Sequence, residues 1–251
     1  MSNKLKKILK NTIIIFIFIC GLIYLVSSFL IVDFYPNSSG VSKNYSDDMD
    51  IVELFIYSPK AGRTDLCVPE AYFTYSKEIR RGVKKKISLD LHYPSMKPWN
   101  IYKNEFKQQN PDYESWPRKK QRAWLVDESH LKLSPRSGAE AIHHFWNIQF
   151  FGDDTKFVNK IELFEETKQG LWHLKEKGKY LSSLDDYFVS PRPKNFSTVI
   201  ECKSSNRCTL ETFVTDSVTL RFNFARAHLE HWQNLNSDIK SLAKTFICQK
   251  K

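Results

Sequence analysis

Val218-Thr219-Leu220-Arg221-Phe222-Asn223-Phe224 alternates apolar and polar side chains, and the period changes directly after it. Strict alternation marks a half-buried strand, because successive side chains on a strand point to opposite faces. From Leu229 onward the apolar residues fall three or four apart: Leu229, Trp232, Leu235, Ile239, Leu242 and Phe246. That spacing gives an amphipathic helix, with Glu230, Gln233, Asn236, Asp238, Lys240 and Lys244 on its polar side. Working backward, Thr198–Cys202 and Leu210–Val214 read as two further strands, and Thr215-Asp216-Ser217 as the turn into the third. Packing such a sheet against the helix buries the apolar face of both. The predicted fold class is therefore α+β, an antiparallel sheet covered by a C-terminal helix.

Upstream the pattern thins. Ile51–Tyr57 reads as a strand, and Leu66-Cys67-Val68-Pro69 as a short extended piece leading into Ala71–Tyr75. Ile87, Leu89, Leu91 and Tyr93 alternate with Ser88, Asp90 and His92, a strand that Pro94 ends. Residues from Pro94 to Pro117 are polar and aromatic and read as irregular. Ala123–Val126 reads as a short strand, and Ser137–Trp146 as a short helix with Ser137 as cap and Glu140 three residues on.

The N-terminal end obeys a different solvent. Lys4, Lys6, Lys7 and Lys10 precede a 22-residue run, Asn11 to Val32, that carries no charge. As a helix it is roughly 33 Å long, enough for the hydrocarbon core of a bilayer. The lysines before it and Asp33 after it place the N-terminus in the cytoplasm and the rest outside, in a bacterial inner-membrane, single-pass arrangement with a periplasmic domain. Ile19 before Cys20 does not suit a lipoprotein signal. The run continues through Phe29-Leu30-Ile31-Val32 past Val26-Ser27-Ser28, which favours an uncleaved signal-anchor over cleavage at that site. The organisation is then a cytoplasmic tip (1–10), a transmembrane signal-anchor (11–32), a polar tether (33–50) and an exported α+β domain (51–251). That domain is read either as one body or as subdomains 51–195 and 196–251.

Charge and cysteine usage fit that address. The 251 residues carry 38 Lys+Arg against 28 Asp+Glu, a formal net charge of +10. Four of the basic residues lie in the tip, so the exported part has 34 against 28, a mild +6. Lys84-Lys85-Lys86 and Arg118-Lys119-Lys120 are compact basic runs, read first as solvated turn residues. Nucleic acid is excluded as a partner on this address. Cys202 and Cys208 enclose five polar residues between two strand-like runs, the form of a clasped hairpin, which predicts a disulfide in an oxidising compartment. Cys67 and Cys248 are the remaining pair. Burial as free thiols is the alternative for both pairs.

No chemistry-bearing motif stands out. The seven histidines are His92, His130, His143, His144, His173, His228 and His231. His228-Leu-Glu-His231 is not the His-Glu-x-x-His zinc arrangement. There is no Gly-x-Ser-x-Gly elbow and no glycine-rich phosphate loop. Asp153-Asp154 and Asp185-Asp186 read as turns, and Trp99 and Trp116 as either a groove lining or a satellite core. Neither catalytic, cofactor-binding nor metal-ligating residues are assigned, and no cofactor is implied.

Cys67-Val68-Pro69-Glu70-Ala71-Tyr72, the strand closing in Leu89-Asp90-Leu91-His92-Tyr93-Pro94-Ser95-Met96-Lys97-Pro98, and the run from Cys208 through Phe224 to Phe246 form a recurrent pattern. It resembles the membrane-anchored or periplasmic immunity proteins encoded beside type VI secretion effectors, many of them phospholipases. The resemblance spans about half of the exported part. It implies a non-enzymatic role, in which the domain binds a cognate toxin or effector and occludes its active site. The alternative is an envelope enzyme or assembly component acting on lipid or cell wall, which needs polar residues such as His92, His130, His143 or Asp127 to converge in one cleft.

Overall fold

The structure is a computed structural model that describes residues 46–73, 83–124, 127–136, 161–175, 184–193 and 196–249, with Leu181 and several positions between 142 and 150. The tip, the apolar segment 11–32, Cys20 and most of the tether lie outside the described residues. Among the described residues no helix is long and apolar enough to cross a membrane.

Eleven strands are described: β1 (Ile51–Ser58), β2 (Gly62–Pro69), β3 (Val83–Lys84), β4 (Ile87–His92), β5 (Glu128–Pro135), β6 (Phe164–Glu166), β7 (Trp172–Leu174), β8 (Asp186–Ser190), β9 (Thr198–Cys202), β10 (Arg207–Thr215) and β11 (Val218–Ala225). The helices are α1 (Trp99–Gln109), α2 (Arg118–Trp124) and α3 (Trp232–Thr245). Eight strands form one sheet in the order β4-β5-β11-β10-β9-β8-β7-β6, and every neighbouring pair is antiparallel. The other three form a small sheet, β2-β1-β3, in which β3 runs parallel to β1. Strands from both sides of residue 195 interleave in the large sheet, and Asn44–Lys251 cluster as one compact unit.

The alternation that opened the sequence decides which side of the large sheet is dry. Leu89, Leu131, Phe222, Leu210, Ile200 and Phe188 stand opposite one another across six consecutive strands and are all buried. Over them lies α3, whose Trp232, Leu235, Ile239 and Ala243 join the same core, with Ile56, Leu66 and Val68 of the small sheet. Leu229 and Leu242 pack at its edge, and Phe246 is buried, so the helical face read from the sequence is the one that is covered. Each fully buried Leu or Ile on that face contributes about 1.5–3 kcal/mol relative to an exposed one. The first turns differ from the expectation: Arg226–His231 is a tighter 3-10 segment, and the α-helix begins only at Trp232.

The last residues of the domain are stitched to β2. Cys67 N–H donates to the Phe246 carbonyl (2.8 Å) and Cys248 N–H to the Asp65 carbonyl (3.1 Å), with Leu66 and Ile247 bridged between them. Cys67 and Cys248 lie at disulfide distance, Cα–Cα 5.1 Å, and so do Cys202 and Cys208, directly opposite on β9 and β10 at 4.0 Å.

Two expectations are corrected. The stretch from Pro94 to Pro117 is not irregular: Pro98 precedes α1, and Tyr113–Ser115 forms a 3-10 turn. Trp99, Tyr102 and Phe106 sit three and four apart along α1, with neighbouring ring centroids 6.1 and 6.5 Å apart, so an aromatic stripe rather than aliphatic residues carries the helix. Ala123 and Trp124 are the end of α2, not a strand; the strand lies just beyond, in β5. Of the helix expected over Ser137–Trp146, the cap and its first turn lie outside the described residues. Ile142, Phe145 and Trp146 are helical, and so are Ile148–Phe150.

Candidate functional site

One register step from the apolar row runs a polar one. Asp90, His130, Asn223, Thr209, Glu201 and Tyr187 face each other in turn across β4, β5, β11, β10, β9 and β8. Beside it, Ser88, Lys132, Arg221 and Glu211 make a second polar row on the same face. Neighbours in register across a strand pair are close enough for side chains to bond, and these do. His130 Nδ1 meets Asp90 Oδ1 in a short contact; Thr209 Oγ1 donates to Asn223 Oδ1 (2.9 Å); Arg221 lies 3.6 Å from Glu201; and the Tyr187 hydroxyl donates to Glu201 (3.5 Å).

This face is only partly covered. Toward β6–β9 it carries a second core, in which Trp146, Phe150 and Ile142 pack with Val189, Val199, Phe196 and Leu174. Glu211 marks the border: it accepts from Trp146 Nε1 (3.2 Å) on the covered side and from Arg136 (2.7 Å) on the other. Beyond it the surface opens, with the Arg221 side chain 50% and that of His130 37% exposed. Asp90 is the exception, 1% exposed at the base of the row. A buried carboxylate needs hydrogen-bond partners, and the imidazole of His130 supplies one.

Beside the middle of the polar row, at His130, Asn223 and Thr209, lies a cavity of about 460 Å³. Lys203, Ser205, Arg207 and Thr209 of the β9–β10 hairpin line one side, and Glu128, His130 and Asn223 the other. The hairpin is tightly fixed. Lys203 N–H donates to Arg207 O (2.8 Å), Asn206 N–H to Lys203 O (3.1 Å) and Arg226 N–H to Asn206 O (2.9 Å). Asn206 takes φ of 60°, a left-handed conformation that asparagine tolerates in turns. Arg207 also donates to the Glu128 carbonyl (2.7 Å), tying the hairpin to β5. Burial lowers the Arg207 pKa, and the Glu128 and Asp127 carboxylates oppose that shift.

The sequence-level histidines separate into distinct settings. His92 is buried, its ring stacked 3.4 Å from Tyr102 and its Nδ1 2.8 Å from the Ser95 hydroxyl; burial lowers its pKa, with Asp127 raising it and His228 lowering it further. Asp127 pairs with His228 (3.0 Å), while His231 is exposed beside Glu230 (3.3 Å), so the two histidines of His-Leu-Glu-His turn to different partners. His173 stacks on Phe188 and lies 3.5 Å from Asp186, which also pairs with Arg226. His143, His144 and Asp153-Asp154 lie outside the described residues. Trp99 is buried, and Trp116 packs on Phe106 and Tyr113 with Lys120 over its ring at 3.4 Å: these tryptophans build a satellite core. Sequence reasoning named His130 but missed its partner Asp90, because their pairing depends on a β4–β5 register between residues 40 apart.

Asp90, Glu128 and His130 bring one ligand-type atom each within 4.8 Å of one another, a spacing open to a metal ion. Arg207, bonded to the Glu128 backbone, and Lys203 bring positive charge into the same cavity, which works against a cation there.

No protein-family model and no curated protein matches the sequence. Among solved structures, the fold is similar to that of Smlt3025, an immunity protein of the Stenotrophomonas maltophilia type IV secretion system. The TM-score is 0.53 at 10% identity, over 80% of this chain and 95% of that one. The architecture is thus one that a bacterial secretion-system immunity protein also adopts.

Proposed function

We propose that this chain is an immunity protein that binds a cognate antibacterial effector and blocks it, acting from the periplasmic face of the inner membrane with residues 11–32 as anchor. The observation that carries the reading is the likeness in fold to Smlt3025 over nearly that protein's whole length. The molecule offers what such a role needs: an open polar sheet face with fixed side chains, backed by a continuous core. Two cysteine pairs at disulfide distance suit an oxidising compartment. The resemblance read from sequence further points to a type VI effector of phospholipase type, whereas the structural relative serves a type IV system. An immunity role in a bacterial secretion system is the part common to both.

The test is genetic. Deleting the gene should make the producing cell sensitive to the toxin encoded beside it, and supplying the gene in trans should restore survival. Full resistance of the deletion strain means abandoning the reading. Fractionation with an N-terminal tag checks the anchor: a tag retained in the membrane fraction supports it, and a tag lost from the mature protein supports cleavage.

The second reading, an envelope enzyme, has one observation in its favour, the Asp90–His130 pair beside Glu128. Against it, Asp127 and His228 pair with each other and not with His130. Turnover of phospholipid or peptidoglycan by the purified chain, lost in His130→Ala, is what that reading requires.

A further inference from the structure

The cavity beside the clasped hairpin has more hydrogen-bond donors than acceptors aimed at it. Thr209 gives its hydroxyl hydrogen to Asn223 Oδ1, so what Asn223 has left to offer is its amide N–H pair. Lys203 contributes an ammonium, Arg207 a guanidinium and Ser205 a hydroxyl. His130 is oriented by Asp90 through Nδ1, which leaves Nε2 as its remaining ring nitrogen. Glu128 is the one acid in the lining, and Asp90, outside it, is met by His130. The groups converging here therefore suit an anion with two acceptor oxygens, and a planar carboxylate matches them.

Rigidity points the same way. The loop is closed by backbone bonds, and Cys202 and Cys208 sit at its base at disulfide distance, which restricts it further. Their side chains are buried on the apolar face, while Lys203 and Arg207 flank them on the hairpin. Such an arrangement holds two cations in place before any partner arrives, and a pre-organised site loses less entropy on binding.

We propose that this cavity is the anchor point of the effector interface and that it receives an aspartate or glutamate side chain protruding from the effector. The proposal rests on the immunity reading and deepens it by naming the chemistry of the contact. Lys203 and Arg207 supply the charge, Asn223 and Ser205 supply neutral donors, and His130, held through Nδ1 by Asp90, lines the facing side.

The experiment uses the purified chain and the purified toxin encoded beside it, with affinity measured by calorimetry. Lys203→Glu reverses an exposed charge on the rim and should weaken binding about 10- to 100-fold while leaving the melting temperature unchanged. Arg63→Glu, on the small sheet, serves as the distant control and should stay within about two-fold. Raising salt should weaken the wild-type complex more steeply than the Lys203→Glu complex. Each toxin Asp and Glu is then changed singly to Lys, and one such variant should restore affinity to Lys203→Glu. If the wild-type chain fails to bind the toxin, the immunity reading falls and this inference with it. If wild type binds and folded Lys203→Glu binds equally well, the immunity reading stands and the cavity proposal is overturned. Loss of affinity that no single toxin charge swap restores overturns the carboxylate as the occupant.

Discussion

Two rows of side chains, one residue apart in sequence on every strand, behave as different materials. Leu89, Leu131, Phe222, Leu210, Ile200 and Phe188 form a closed apolar seam, while Asp90, His130, Asn223, Thr209, Glu201 and Tyr187 form a hydrogen-bonded one. The first row is sealed by α3 and the small sheet; among the described residues the second is covered at its β8–β9 end by Trp146 and Phe150, with Asp90 buried at the β4 end and the stretch around His130 more open. The difference teaches where stability and recognition are separated in this molecule. Changes on the dry side act on folding, and changes on the open side act on what the domain can touch.

The largest effect should come from removing the outer closure of the dry side. Cys67 and Cys248 are 181 residues apart, against 6 for Cys202 and Cys208. Loop-closure entropy then gives about 5 kcal/mol for the long closure and about 2.4 kcal/mol for the short one. Denaturant melts of Cys67→Ser/Cys248→Ser and Cys202→Ser/Cys208→Ser should rank in that order. Equal losses would show that the long closure does not constrain the unfolded chain. Next in size, Phe222→Ala removes a fully buried ring from the centre of the apolar row and should cost about 3–5 kcal/mol in the same melts. Its counterpart one residue away, Arg221→Ala, removes a half-exposed side chain whose ion pair is loose, and should change stability by no more than about 0.5 kcal/mol. A similar cost for both substitutions would erase the distinction between the faces.

The smallest effect is on pH. Burial lowers the His92 pKa, so the folded protein binds fewer protons there than the unfolded chain. The stability tied to this group is present above about pH 6.5, the ordinary histidine value, and is lost as pH falls below it. Melts between about pH 7.5 and about pH 5.5 should show that decline, and His92→Asn should flatten it. An unchanged slope in the variant would show that the decline does not come from His92.

What the sequence reveals follows the same division. The β9–β10–β11 unit and α3 are legible because alternation and helical spacing are uninterrupted there, and each period has a single dry side to satisfy. β5 is hard to see because Leu131 and Leu133 are the only large apolar residues on its buried face and Ser129 completes it. α1 is masked by Pro94 and Pro98 before it and by charged residues between its aromatics. Of the candidate site, Cys202 and Cys208 could be paired from their spacing, whereas the polar row could not be assembled. Its members come from six strands, and only the register, a product of the whole fold, lines them up.

The stitch between β2 and the final residues has a mechanical meaning. A bond from Cys67 to Cys248 makes everything between them a covalent ring, with β1 as the strand that leads into it. A pull on the chain ahead of β1 can peel that strand away from β2, but the load passes at Cys67 to both sides of the ring at once. The large sheet, and the cavity it carries, would then feel force as a closed loop and not as a strand being unzipped from one end.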